Sequence, residues 1–450
     1  MRFKTAVFAA LALSLSARAA DPEIKFEKYT LPNGLTVILS EDHRLPQVAV
    51  DIWYHVGAAN QAPGKSGFAH LFEHMMFSGS KHIQPTPFKL LETIGASQIN
   101  GTTNNDRTNY FEVVPSAELP SALWLESDRM GFLLDTLDEK KLGVQRDVVS
   151  NERRQSYENR PYGTAQLRIC DLLYPAPHPY FDCVIGVIPE IQSASLQDLR
   201  SFFRQFYGPN NASLAIVGDF DPAQAKQLIA TYFGPIPRVA SVKRPEVPQP
   251  MLTSVVHERL DDKLAEVPRL FWVWNGIKEF SDDEPAGDVL ADIIANGRTS
   301  RLYRSLVFDK KLASGVNAGN AALQLGGYFQ ISATANAAHT VEEMQPSIQA
   351  SIDDIKANGV KPEEVERAKR NILAGLLRTV ERVGGFGGKA DLLNSYETFL
   401  GDPGYLPHDL ARYRAVTPEA VKAFANKYLP NDKRLELDIE PAAKKTASAQ

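Results

Sequence analysis

Residues 195–222 read SLQDLRSFFRQFYGPNNASLAIVGDFDP, and residues 417–441 read TPEAVKAFANKYLPNDKRLELDIEP. Each opens on a Ser or Thr able to cap a helix, runs through an amphipathic helical pattern, turns at Pro-Asn and ends in an apolar strand. What precedes them matches as well. Before the first stand Tyr110-Phe111-Glu112-Val113, a helix and a second helix at 139–155. Before the second stand Tyr328-Phe329-Gln330-Ile331, a helix and a second helix at 362–380. The same elements in the same order predict a duplicated α+β domain.

Between the copies lies PRVASVKRPEVPQP, residues 237–250, bounded by prolines and poor in apolar side chains. Such a stretch reads as an extended linker. It divides the chain into an N-terminal domain, residues 20–236, and a C-terminal domain, residues 251–450. In the first, Pro32-Asn33-Gly34 between alternating apolar runs predicts a hairpin, and QVAVDIWYHV at 47–56 predicts another strand. Helical patterns follow at 68–77, 118–134, 139–155 and 196–206, with strands at 108–114 and 213–217.

Residues 1–19 stand apart. A basic start, Met1-Arg2-Phe3-Lys4, precedes an apolar run from Thr5 and an Ala17-Arg18-Ala19 end. This is the pattern of a secretory signal peptide cut after Ala19, and the run is too short for a membrane-spanning helix. Its removal leaves 46 cations against 54 anions, so the formal charge moves from −5 to −8. The expected product is exported to the bacterial periplasm without a membrane span. Apolar residues make up 44% of the chain, which excludes a mostly disordered protein. The negative charge points away from nucleic acid as a partner. Cys170 and Cys183 are the two cysteines. An oxidising compartment would let them pair; two free buried thiols fit equally well.

Two of the nine histidines lie in His70-Leu71-Phe72-Glu73-His74, inside the predicted helix 68–77. Positions i and i+4 share a helix face, with i+3 beside them. Both imidazoles can therefore point at one metal ion with Glu73 next to it, the inverted form of the zincin motif. A catalytic zinc wants a third protein ligand and one open position. The segment VQRDVVSNERRQSYENRPYG from Val144 offers Asp147, Glu152 and Glu158, and spacing alone does not choose among them. The pair Val148-Val149 is expected to bury one face of that helix against the sheet.

With these residues in view, the chain resembles the inverted zinc metallopeptidases of the pitrilysin and insulysin type. Within them it is similar to the short-subunit branch that includes mitochondrial processing peptidase. The likeness runs from LPNGLTVIL, Leu31 to Leu39, through the C-terminal strand. It implies an α+β fold of two homologous domains, each a mostly antiparallel sheet packed by helices, together forming half of a clamshell. It implies Zn2+ held by His70, His74 and Glu152, because the family completes the motif with a glutamate in a segment like VVSNERRQ, residues 148–155. Glu73 is then the general base in hydrolysis of short unstructured peptides. A second family glutamate, thought to orient a ligand, falls at Gln145, whose amide can still hydrogen-bond an imidazole. The segment Asn100 to Tyr110 resembles the edge strand onto which substrate adds as a β-strand. Asn100, Gly101, Thr102 and Thr103 are its candidate substrate-binding residues; an ordinary polar turn is the other reading.

The second copy has Asp288, Ala291 and Asp292 where the first has His70, Glu73 and His74, and Gly375 in place of Glu152. One zinc site is therefore expected. Active family members also carry an Arg and a Tyr seven residues apart, opposite the metal. Here those positions hold Val307 and Ser314, neither a cation nor a phenol. The resemblance then implies a heterodimer whose homologous partner supplies the Arg–Tyr pair. A non-catalytic scaffold subunit of the same fold is the rival function. The glycine-rich run 382–388 reads as a break between helices.

Overall fold

The computed structural model describes residues 22–442, and the signal segment expected at 1–19 lies outside them. The first half carries six strands, β1 (Glu27–Thr30), β2 (Thr36–Glu41), β3 (Gln47–Tyr54), β4 (Ser97–Thr103), β5 (Thr108–Pro115) and β6 (Ala212–Gly218). They form one sheet in the order β1-β2-β6-β3-β5-β4. The second half carries β7 (Val256–Asp262), β8 (Arg269–Asn275), β9 (Ala313–Ala321), β10 (Tyr328–Ala335) and β11 (Leu435–Pro441), in the order β7-β11-β8-β10-β9. The two orders superimpose once β1 is set aside. In each sheet one pair is parallel, β2 with β6 and β7 with β11, and the other neighbours are antiparallel. The duplication read from the chain endings is present in the strand pairing itself.

Among the described residues, eight α-helices belong to the first half: α1 (Phe68–Met75), α2 (Pro87–Thr93), α3 (Leu119–Phe132), α4 (Glu139–Arg153), α5 (Gly163–Leu173), α6 (Ile188–Ser193), α7 (Leu196–Phe206) and α8 (Pro222–Phe233). Six follow in the second: α9 (Glu284–Ala295), α10 (Val341–Asn358), α11 (Pro362–Glu381), α12 (Lys389–Leu400), α13 (Leu406–Arg414) and α14 (Pro418–Tyr428). The helix starts are written locally. Ser195 and Asp198 make a reciprocal capping box at α7, and the Thr417 side chain accepts the Ala420 N–H at α14. No described helix is long and apolar enough to cross a membrane.

Strand alternation sends side chains to two different covers. Val48, Val50, Ile52 and Tyr54 of β3 pack with α1, α3, α7 and α8. Ala49, with Ile38, Val113 and Val217, faces the other way and meets Ala390 and Leu393 of α12 and Leu410 of α13. That second cover comes from the far half of the chain. The exchange is mutual: Ala165, Ile169 and Leu173 of α5 pack on Phe271, Val273, Leu435 and Leu437 of the second sheet. Each sheet is thus buried on both faces, which is why β6 (ASLAIVG) and β8 (RLFWVWN) are nearly continuous apolar runs.

Residues 237–250 contain neither helix nor strand. The glycine-rich run 382–388 separates α11 from α12 as expected. One expectation needs adjusting. Val149 is fully buried but Val148 is 42% exposed, because neighbours on a helix point about 100° apart and only one can face the core. The cysteines, left open by the sequence, form a disulfide with Cα atoms 5.6 Å apart.

Candidate active site

The motif helix α1 buries Phe68, Ala69, Leu71, Phe72 and Met75 in the first core. That leaves His70 and His74 on the remaining face, at the sheet's β4 end. The entry into α1 is tight. Gly67 adopts φ +77°, and a Cβ there would lie 2.8 Å from the Ile185 carbonyl oxygen and 2.9 Å from Gly186 Cα. Only glycine tolerates both demands. The loop pressed against this glycine is tied to α5 by the Cys170–Cys183 bond.

α4 packs across α1 and delivers Glu152. Its Oε2 lies 3.3 Å from His74 Nε2 and 3.8 Å from His70 Nε2. One ligand atom from each of the three residues lies within 4.8 Å of the others. Tetrahedral zinc with bonds of about 2.0–2.1 Å spaces its ligand atoms about 3.4 Å apart, so this donor set fits that ion. The alternatives to Glu152 are engaged elsewhere: Glu158 accepts from Arg153 Nε at 2.9 Å, and Asp147 from Gln192 Nε2 at 3.4 Å.

Burial lowers the His70 imidazole to about 4, helped by His74 and opposed by Glu152, which favours the neutral form that binds metal. Burial pulls His74 down too, but hydrogen bonding to Glu152 and the charge of Glu73 outweigh it and leave it raised. Glu152 is held low, first by the His74 hydrogen bond. Glu73 is 7% exposed, and burial raises its carboxyl against the hydrogen bond from Thr103. Gln145 neighbours His74 and donates its Nε2 to Ser78 Oγ at 3.1 Å.

The segment after Asn100 belongs to a strand, not a plain turn. β4 is the end strand of the first sheet, paired on one side with β5. Its side chains alternate. Thr103 faces α1 and donates Oγ1 to Glu73 Oε2 at 2.6 Å. Gly101 faces the same way, where a Cβ would meet the Phe77 ring at 2.9 Å. Asn100 Oδ1 accepts the Gly101 N–H at 2.8 Å. The strand therefore runs beside the carboxylate with its outer edge open.

A cleft of about 1170 Å³ contains all of these groups. Its walls include residues that sequence reasoning passed over, among them Phe77, Phe88, Val144 and Val148. Phe77 and Phe88 stack with centroids 4.8 Å apart. Val148 and Val144 stand one and two turns before Glu152 on α4, so all three share one helix face along the cleft. In the second half the equivalent positions are filled differently. Asp288 accepts from Tyr413 Oη at 2.6 Å and Asn320 Nδ2 at 3.0 Å, Asp292 accepts from Asn371 Nδ2 at 3.2 Å, and Ala291 lies in the core.

Comparison with known proteins agrees with this architecture. Residues 36–170 match the insulinase domain of peptidase family M16, and residues 193–372 match the peptidase M16 inactive domain. Zinc protease PqqE of Helicobacter pylori is 30% identical over 382 residues, spanning 82% of this chain and 83% of that one. The crystal structure of a protease from Helicobacter pylori superimposes with a TM-score of 0.86 at 26% identity, covering 93% of this chain and all of the other. Pitrilysin, at 18% identity and a TM-score of 0.75, shares the fold: 93% of this chain matches 45% of it, half of that larger molecule. With two such domains matched in series and that identity held over most of both chains, the chain belongs to peptidase family M16.

Proposed function

We propose that the chain is the zinc-bearing subunit of an endopeptidase that hydrolyses short unstructured peptides. The observation that carries this reading is the convergence of His70, His74 and Glu152 beside a buried Glu73 that is hydrogen-bonded to an open sheet edge. Zn2+ held by His70, His74 and Glu152 would supply an activated water and a polarised scissile carbonyl. Glu73 takes a proton from that water and passes it to the leaving amine. Gln145, next to His74, orients the imidazole. Residues Asn100 to Thr103 receive the peptide as an added strand, so main-chain pairing gives tolerance of sequence and the cleft walls give preference.

The partner is a homologous chain that brings an Arg–Tyr pair. Val307 and Ser314, at the positions concerned, line a surface recess with the exposed Phe308 and supply neither group. The compartment is the bacterial periplasm, a reading supported by the signal pattern of residues 1–19 and by the Cys170–Cys183 bond. The test is a quenched-fluorescence peptide assay on the zinc-loaded chain, alone and with candidate partners. The partnered protein should cleave, and Glu73→Gln should slow cleavage about 10³-fold while keeping one zinc per chain. Zinc stoichiometry near zero, or function untouched by Glu73→Gln, would instead support a scaffold subunit.

A further inference from the structure

On the side of the first sheet away from Glu73 lies a second polar cluster that the reaction above leaves unused. Arg107, at the β4–β5 turn, sits with its guanidinium 4.8 Å from the Trp53 ring. Its Nη1 donates to the Thr102 carbonyl at 2.9 Å and to Asn109 Oδ1 at 3.1 Å. The Asn109 amide nitrogen in turn donates to Asp51 Oδ1 and to Asp391 Oδ1, each at 3.3 Å. Trp53 Nε1 donates to the same Asp391 oxygen at 3.2 Å, and the Gly387 N–H to the other oxygen at 3.1 Å. Asp391 belongs to α12, the helix contributed by the second half. The Asn109 amide is therefore polarised between a cation on one side and carboxylates on the other, an arrangement in which each bond strengthens the next.

Charge explains why Asp391 is needed. The acceptors of Arg107 Nη1 are neutral oxygens, and its Nε is buried without a partner. A buried guanidinium requires a counter-charge within reach. Burial pulls the Arg107 pKa down, and Asp391 is the largest influence opposing that, ahead of Asp51 and Glu73.

Thr102 is where the cluster meets the site. At the hairpin end the Asn104 N–H donates to the Arg107 carbonyl at 3.0 Å. Antiparallel alternation then has Thr102 exchange bonds with Asn109, its partner in the register, and turns the N–H and C=O groups of Gly101 and Thr103 to the open edge. Holding Thr102 holds its two neighbours, whose outward groups a peptide strand would pair with, the Gly101 N–H being taken by Asn100 Oδ1. It also holds Thr103, whose hydroxyl reaches Glu73.

We infer that Asp391 and Arg107 are positioning residues, through which the second half sets the peptide-binding edge and the Thr103–Glu73 hydrogen bond of the first. This rests on the roles proposed above for β4 and Glu73. The experiment uses the zinc-loaded chain with its partner. Asp391→Asn keeps size and an acceptor for the helix start but removes the charge. It should lower kcat about tenfold, with zinc content and melting temperature unchanged, and Asp391→Glu should restore most of the rate. Adding it to Arg107→Gln should give no further loss, because both break one chain of bonds. Trp53→Phe, which removes the indole N–H on Asp391 and keeps a smaller ring beside Arg107, is the milder variant and should show part of the same loss. Deuterium uptake of residues 97–104 should rise in Asp391→Asn while that of α3 stays the same. Unchanged kcat, multiplicative losses in the double variant, or unchanged uptake at 97–104 would overturn the inference. If the wild-type complex cleaves nothing, the peptidase reading falls, and the exchange measurement still decides whether Asp391 holds β4.

Discussion

α1 packed on α4, and α9 packed on α11, are the same helix pair built twice. In the first, two imidazoles and two carboxylates converge on a cleft. In the second, Asp288 and Asp292 are tied to Tyr413, Asn320 and Asn371, and Ala291 joins Leu290 and Ile294 in the core. The strand order is common to both. The fold is therefore carried by apolar alternation and helix capping, which both copies keep. The proposed chemistry rests on four side chains that only one copy has, and in the other copy Ala291 serves packing while Asp288 and Asp292 serve local hydrogen bonds.

The largest effect should come from disarming the first copy. Glu73→Gln should lower kcat about 10³-fold with zinc retained, in the range for removing a general base; zinc analysis beside single-turnover kinetics checks this. The comparison can be attacked from the other side by writing the motif into α9. Ala291 is 3% exposed, so Ala291→Glu buries a carboxylate and should cost about 3–5 kcal/mol in urea unfolding. Adding Asp288→His, Asp292→His and Gly375→Glu should still give one zinc per chain. A stable variant holding two would break the comparison.

The mutual exchange of α5 and α12 offers a symmetric test. Leu393 and Leu173 are 0% and 1% exposed on opposite sheets. Leu393→Ala and Leu173→Ala should each lose about 2–4 kcal/mol, and a large inequality would show that one half leans on the other. A smaller effect separates the halves by pH. Burial first, and then Arg244, lowers the His55 imidazole of the first half to about 3. Above pH 6.5 it is neutral folded or unfolded. Below that the unfolded chain takes up the proton first, so stability falls as pH drops towards the folded value. The loss should be on the order of 2 kcal/mol between pH 6.5 and 4.5, and His55→Gln should flatten that part of the curve.

Much of the fold was legible because its signals are local. The Pro-Asn-Gly hairpin, the Ser195 and Thr417 caps and the 3.6-residue pattern of α7 and α14 act within a few residues of themselves. His70, Glu73 and His74 share one helix face by backbone geometry alone. Glu152 is 78 residues after His74, and family resemblance, not spacing, singled it out from Asp147 and Glu158. The packing of α4 across α1 turns it to the imidazoles, while Arg153 and Gln192 draw the other two away.

By itself, then, the sequence determined the elements, their duplication and the pair of histidines, since short-range periodicity dictates each. Only the tertiary structure decided which valine of Val148-Val149 faces the cleft, that Cys170 meets Cys183, and that α5 and α12 each cover the other half's sheet. It also decided that Asp391 reaches Asn109, 282 residues away in the chain. Contacts of that kind depend on which apolar faces find each other, and no local pattern in the chain encodes that choice.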